Sequence, residues 1–173
     1  MRQTAINPDS MSREAEVEAK KRGFDLGDHG ANLIGVERAE KAAWQAVAEH
    51  RSAALETVLS TDKLVSLVTA ARARGFRTRL VFVALPTVEL CIERVEVRVR
   101  QGGHRVPADR IRKRWNAAHD NLVRFLDLVD DVLVFANLDP VVPSLVFERV
   151  STDGIAVLRD REILPEVTRR LII

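Results

Sequence analysis

Between Arg94 and Arg114 stand eight cationic side chains, Arg94, Arg98, Arg100, Arg105, Arg110, Arg112, Lys113 and Arg114, against only Glu96 and Asp109. That local balance of +6 sits in a chain whose net charge is +2, so everything outside the stretch is net −4. Guanidinium groups present planar donor forks that match phosphate oxygens, so a dense set of them suits a phosphorylated ligand. At its centre Gly102-Gly103-His104-Arg105-Val106-Pro107 interrupts two helical patterns, and the charge therefore surrounds a short loop that can close on an anion. Two acidic positions carry further chemistry. Asn7-Pro8-Asp9-Ser10 reads as a strand end running into a turn, and by residue type alone Asp9 is an Asx-type cap for a helix starting near Ser12. Glu56-Thr57 follows the apolar Ala53-Ala54-Leu55; it forms either a polar site edge or the exposed face of an edge strand.

These pieces also carry a family resemblance. Gly-Gly-His-x-Val-Pro, preceded by Arg94-Val-x-x-Arg98-Val and followed by Arg110-Ile-Arg-Lys-Arg-Trp115, resembles the lid region of zeta-toxin-like P-loop kinases. Asn7-Pro8-Asp9 and Glu56-Thr57-Val58-Leu59-Ser60 agree with that family in the same order, so the likeness runs from about Ala5 to Asn137. It implies transfer of the γ-phosphate of ATP, with Mg2+, to a hydroxyl. UDP-N-acetylglucosamine is the acceptor of the toxin branch, so the implied ligand is a phosphorylated nucleotide or nucleotide sugar, and an antitoxin is the implied partner. By the same likeness Asp9 is the general base, Glu56 and Thr57 hold the acceptor, and Arg94 and Arg98 face the transferring phosphoryl group. His104 stands in the lid where the toxins place arginine, with less charge at pH 7. Arg114 is the implied nucleotide-side contact. Val58 departs from the family, which has a second hydroxyl residue there.

The elements that must position these residues follow from the rest of the chain. At 173 residues, 46% apolar and 30% charged, it fits a single domain over 1–173 with a sizeable core, a basic lid over 94–114 and a C-terminal extension over 140–173. The longest apolar run, Leu80 to Leu85, is too short to cross a bilayer, the first twenty residues lack a secretory pattern, and Cys91 has no partner cysteine. A cytoplasmic setting without membrane partners follows as the expectation. Nucleic acid is disfavoured: tyrosine is absent, and no aromatics interleave with the basic residues to stack on bases.

Strand and helix patterns alternate. Thr4-Ala5-Ile6 is a short strand. Ser12 to Arg22 is helical in propensity but has almost no apolar face, and Gly23, Gly27, Gly30 and Gly35 then punctuate a polar stretch. Residues 12–35 read as a mobile surface loop or partly disordered segment. Gly30 to Gly35 has the spacing of a phosphate loop, but Val36 and Glu37 follow where Lys and Ser/Thr are required, so the match is false. Helices are expected over Val36 to His50 (stripe Val36, Ala39, Ala43, Val47), from a start capped by Ser60 with Asp62 to Arg74, from Val88 to Val99, and from Ile111 to Val129. Leu80 to Leu85 and Val132 to Phe135 read as strands covered on both faces. A hairpin turning at Asp153-Gly154 and a helix from Pro165 to Leu171 close the chain.

The sum is an α/β, P-loop kinase-like, mostly parallel sheet flanked by helices. It lacks the first strand and phosphate loop, since no Gly-x4-Gly-Lys-Ser/Thr occurs and the pattern opens at what would be the second strand. An N-terminally incomplete kinase that does not bind ATP and Mg2+ tightly is the favoured expectation. The alternatives are a degenerate, non-catalytic binding protein on a kinase-like fold and a basic loop that binds nucleic acid.

Overall fold

Where the sequence suggests a loop over 12–35, the chain forms two helices. The computed structural model describes residues 4–103, 105–138, 142–150, 156–160 and 162–171, and its contacts divide the chain into two compact units, Met1–Val58 and Leu59–Ile173.

In the first unit, β1 (Thr4–Ile6) leads into α1 (Pro8–Lys21), α2 (Gly27–Ala48) and β2 (Ala53–Leu55). The strands pair in parallel, with Thr4 opposite Ala53 and Ile6 opposite Leu55. Asn7 precedes a proline, which restricts it to extended backbone, and Pro8 opens the helix where a missing N–H costs nothing. The helix thus starts at Pro8, four residues before the expected Ser12.

The two helices pack through small residues, Ser12 and Ala15 on α1 against a row of Ala31, Gly35, Ala39, Ala43 and Ala46 on α2. A Cβ on Gly35 would fall 2.0 Å from Ser12 Oγ and 2.5 Å from the Pro8 carbonyl, so close backbone approach demands glycine there. Ala39 and Ala43 of the expected stripe are buried, but Val36 is exposed, because the buried row is centred on glycine and alanine. Gly30 to Gly35 lies inside α2.

The second unit contains α3 (Leu64–Ala73), β3 (Arg79–Ala84), α4 (Val88–Arg100), α5 (Ala108–Leu128), β4 (Asp131–Ala136), β5 (Ser144–Val150), β6 (Ala156–Leu158) and α6 (Pro165–Leu171). Its sheet runs β3-β4-β5-β6. Only β3 and β4 are parallel; β5 and β6 are antiparallel to their neighbours, so this sheet is mixed rather than mostly parallel. The hairpin strands stand as expected, while the Asp153-Gly154 turn lies outside the described residues. Leu122, Val132, Val134, Val146, Leu164 and Val167 form the centre of the core.

β4 is buried or half-buried along its length, but β3 alternates: Phe82 and Ala84 are buried while Val81 and Val83 are each 53% exposed. β3 is the end strand of its sheet, and the expectation of cover on both faces fails there. Its start is tied to that of β4 by polar contacts. Asp131, only 1% exposed, takes paired hydrogen bonds from Arg77 (2.9 and 2.8 Å), and Asp130 accepts from the Thr78 N–H (2.7 Å) and hydroxyl (2.9 Å). The Thr78 backbone bond, foremost, holds the Asp130 carboxyl below its usual range. The helix expected to open at Ser60 starts at Leu64 with Lys63 in the cap position and no side-chain cap; Asp62 instead lies 3.8 Å from Arg124.

Candidate functional site

At the end of the β1–β2 pair, the ladder runs on for one more bond: the Glu56 N–H donates to the Ile6 carbonyl at 3.0 Å. The strand ends thereby set Asn7 and Glu56 side by side, and Asn7 Nδ2 donates to Glu56 Oε2 at 2.5 Å. Asn7 Oδ1 accepts from the Ser10 N–H at 3.1 Å, so Asn7, not Asp9, caps α1. That corrects the reading of Asp9 as the cap. Asp9 is exposed in the first helical turn, where the positive end of the helix dipole favours a carboxylate. Thr57 follows Glu56 and is also exposed. This unit therefore gathers Asp9, Glu56 and Thr57 at one end of a parallel strand pair, together with Asn7, which residue type alone does not single out. Its signal was present in the Asn-Pro pair, which forces the extended backbone an N-cap needs.

In the second unit the basic stretch is a helical hairpin, α4 and α5. Thr87 caps α4, accepting from the Leu90 N–H at 3.3 Å. Arg94 Nη2 donates to the Asn137 carbonyl at 2.7 Å, and the Asn137 N–H donates to the Ala84 carbonyl at 2.9 Å. Arg94 is thus held at the C-terminal end of the parallel β3–β4 pair, the end at which open α/β sheets bind ligands. Arg98 and Arg114 are exposed on α4 and α5, and His104 lies outside the described residues.

Gly102-Gly103 ends α4 in a Schellman motif. Gly102 has φ +87°, its N–H bonds the Val99 carbonyl at 3.0 Å, and the Gly103 N–H bonds the Arg98 carbonyl at 2.9 Å. A Cβ on Gly103 would fall 2.8 Å from that carbonyl oxygen. The pair is accounted for by the helix stop. On α5, Asn121 Nδ2 donates to the Leu59 carbonyl at 2.8 Å, holding a residue whose φ is +55°. Neither Asn137 nor Asn121 could be picked out beforehand, since each acts across a long sequence separation.

Among the described residues no group of three or more His, Cys, Asp or Glu could hold a metal ion, and no helix is long and apolar enough to cross a membrane. Cys91 is half-buried, and burial pushes its thiol up, away from reactivity.

Strands, helices and a basic helical hairpin anchored at the C-terminal end of a parallel pair define an α/β protein. A chain of the PezAT chromosomal toxin–antitoxin system of Streptococcus pneumoniae has a similar structure, with TM-score 0.60 and 15% identity, over 94% of this chain and 65% of that one. The likeness supports a zeta-toxin-like fold, and at this identity it bears on the fold alone. An uncharacterized protein of Haemophilus influenzae is 27% identical over 70 residues, 40% of this chain and 50% of that protein. The chain spans half the length of that relative and 65% of the solved chain. No protein-family profile matches it.

Proposed function

We propose that this chain carries the acceptor edge and the basic lid of a zeta-toxin-like, ATP-dependent phosphotransferase. Its acceptor is a hydroxyl on a phosphorylated small molecule of the UDP-N-acetylglucosamine type. The observation that carries the reading is the pairing of Asn7 with Glu56, which sets Glu56 beside the first turn of α1, where Asp9 is exposed to solvent. Asp9 takes the proton of the acceptor hydroxyl, and Glu56 with Thr57 holds the acceptor. Arg94 and Arg98 supply positive charge where the transferring group develops negative charge, and His104 and Arg114 complete the ligand side of the lid. An antitoxin partner belongs to the same reading, supported by the toxin–antitoxin system of the structural neighbour. So does a cytoplasmic setting without nucleic acid or membrane partners.

ATP with Mg2+ is the donor the resemblance implies, but the described residues do not fit its phosphate cradle. Gly30 to Gly35 is helical, Gly35 faces Ser12, and Val36 and Glu37 follow it. No residue of this chain is therefore assigned to the backbone cradle of the donor phosphates. The decisive experiment supplies that cradle by fusing the strand, phosphate loop and helix of a zeta-toxin-like kinase. The fusion should phosphorylate UDP-N-acetylglucosamine, and Asp9→Asn should lower turnover by about 10² or more with ATP affinity nearly unchanged. Full activity in Asp9→Asn would move the base elsewhere, with Glu56 the first candidate. A fusion that binds ATP yet phosphorylates no hydroxyl acceptor would overturn the reading.

A further inference from the structure

We propose that Asn7 is a positioning residue: its side-chain amide, locked by the cap of α1, grips Glu56 Oε2 and fixes the direction of the acceptor-holding carboxylate. The role given to that carboxylate rests on the function proposed above; the grip itself rests on geometry. Because Asn7 Oδ1 is committed to the Ser10 N–H at 3.1 Å, the orientation of the amide is determined. Turning it over would point an NH2 group at an N–H donor. Nδ2 is therefore the atom that meets Glu56 Oε2, at 2.5 Å, as a charge-assisted bond to a carboxylate.

Backbone constraints hold both partners. Asn7 is extended (φ −119°, ψ 113°) ahead of Pro8, and the Glu56 N–H is bound to the Ile6 carbonyl at 3.0 Å. A glutamate has three side-chain torsions to lose, so an exposed one ordinarily samples many directions. Here one oxygen is held in advance and the other is left to an acceptor hydroxyl. This is the preorganisation a binding carboxylate requires. It also accounts for Asn in preference to the equally good cap Asp before Pro8: Asp would cap as well, but would offer Glu56 no donor and a second negative charge.

That difference supplies the test, on the full 173-residue chain. Asn7→Asp, Glu56→Gln and the double variant are compared by thermal unfolding and by calorimetric titration with UDP-N-acetylglucosamine. Asn7→Asp keeps the cap, so it should lower Tm only by about 3–6 °C, while weakening binding of the nucleotide sugar about tenfold or more. Glu56→Gln should weaken binding at least as much. In the double variant donor and acceptor are exchanged, so Tm should return to within about 2 °C of wild type. Binding should not return, because position 56 no longer carries a carboxylate. Unchanged binding in Asn7→Asp, or a double variant whose Tm loss is the sum of the singles, would overturn the proposal. If the wild-type chain does not bind the nucleotide sugar, the acceptor role of Glu56 fails instead, and the unfolding cycle still decides whether Asn7 holds that carboxylate.

Discussion

Arg94 reaches from α4 to the backbone carbonyl of Asn137, 43 residues further along the chain, at 2.7 Å. Asn137 is itself bonded to Ala84, so one chain of hydrogen bonds joins α4 to the ends of β3 and β4. α4 has no buried residue, and with so little apolar contact its placement depends on polar links of this kind.

Arg94→Ala should therefore lower the unfolding free energy of the full chain by about 1 kcal/mol, the net worth of a typical intramolecular hydrogen bond, since solvent at this exposed arginine weakens the gain from its charge. Urea unfolding with an unchanged m-value reads this directly. Stability equal to wild type would mean that water replaces the guanidinium without loss.

The helix stop predicts a graded pair of effects. Gly102→Ala places a Cβ at φ +87° and should cost about 1 kcal/mol. Gly103→Ala meets the Arg98 carbonyl at 2.8 Å and should cost about 1–3 kcal/mol as the backbone shifts. Amide exchange should show the last turn of α4 opening faster in both variants, with α5 unaffected beyond its first turn. Protection of Gly103 that survives in Gly103→Ala would contradict the Schellman assignment.

His119 gives a pH prediction. It lies buried between Trp115 and Phe82, with ring centroids 4.0 and 5.4 Å away, and Nδ1 sits 2.7 Å from the Trp115 carbonyl. Burial, with Arg170 adding to it, outweighs the Trp115 carbonyl bond and the nearby Glu166 and Asp120, and pushes its pKa below the ordinary 6.5. Above about pH 6.5 the ring is neutral in both folded and unfolded chains and contributes nothing to pH dependence. As pH falls below that value the unfolded chain binds the proton first, so stability declines until the folded ring also titrates. His119→Gln should flatten the stability curve below pH 6.5 relative to wild type; an unaltered slope would place the titrating group elsewhere.

Mg-ATP should bind the purified chain no more tightly than roughly millimolar, about −4 kcal/mol. The candidate glycine spacing is helical, and the residues that would follow a phosphate loop are Val36 and Glu37. Micromolar affinity by calorimetry would mean that other residues build a nucleotide site.

By itself the sequence determined the features whose cause is local. β4 and the long α5 are legible because an apolar run and a 3.6-residue stripe report burial along one element. The Gly102-Gly103 break is legible for the same reason, since a stop in a helix needs a residue at positive φ. Tertiary structure alone decided what depends on neighbours distant in the chain. Residues 12–35 look polar and broken, yet α1 and α2 pack tightly because Gly35 and the alanines let two backbones approach, and small side chains leave little hydrophobic signal. Val81 and Val83 belong to an unbroken apolar run, but they share the face of β3 that is left open while Phe82 and Ala84 are buried on the other, which no local pattern records. The same holds for the candidate site. Asn7 meets Glu56 across 49 residues because parallel pairing of β1 with β2 sets the ends of both strands together, and a bond of that kind exists only once the strands have paired.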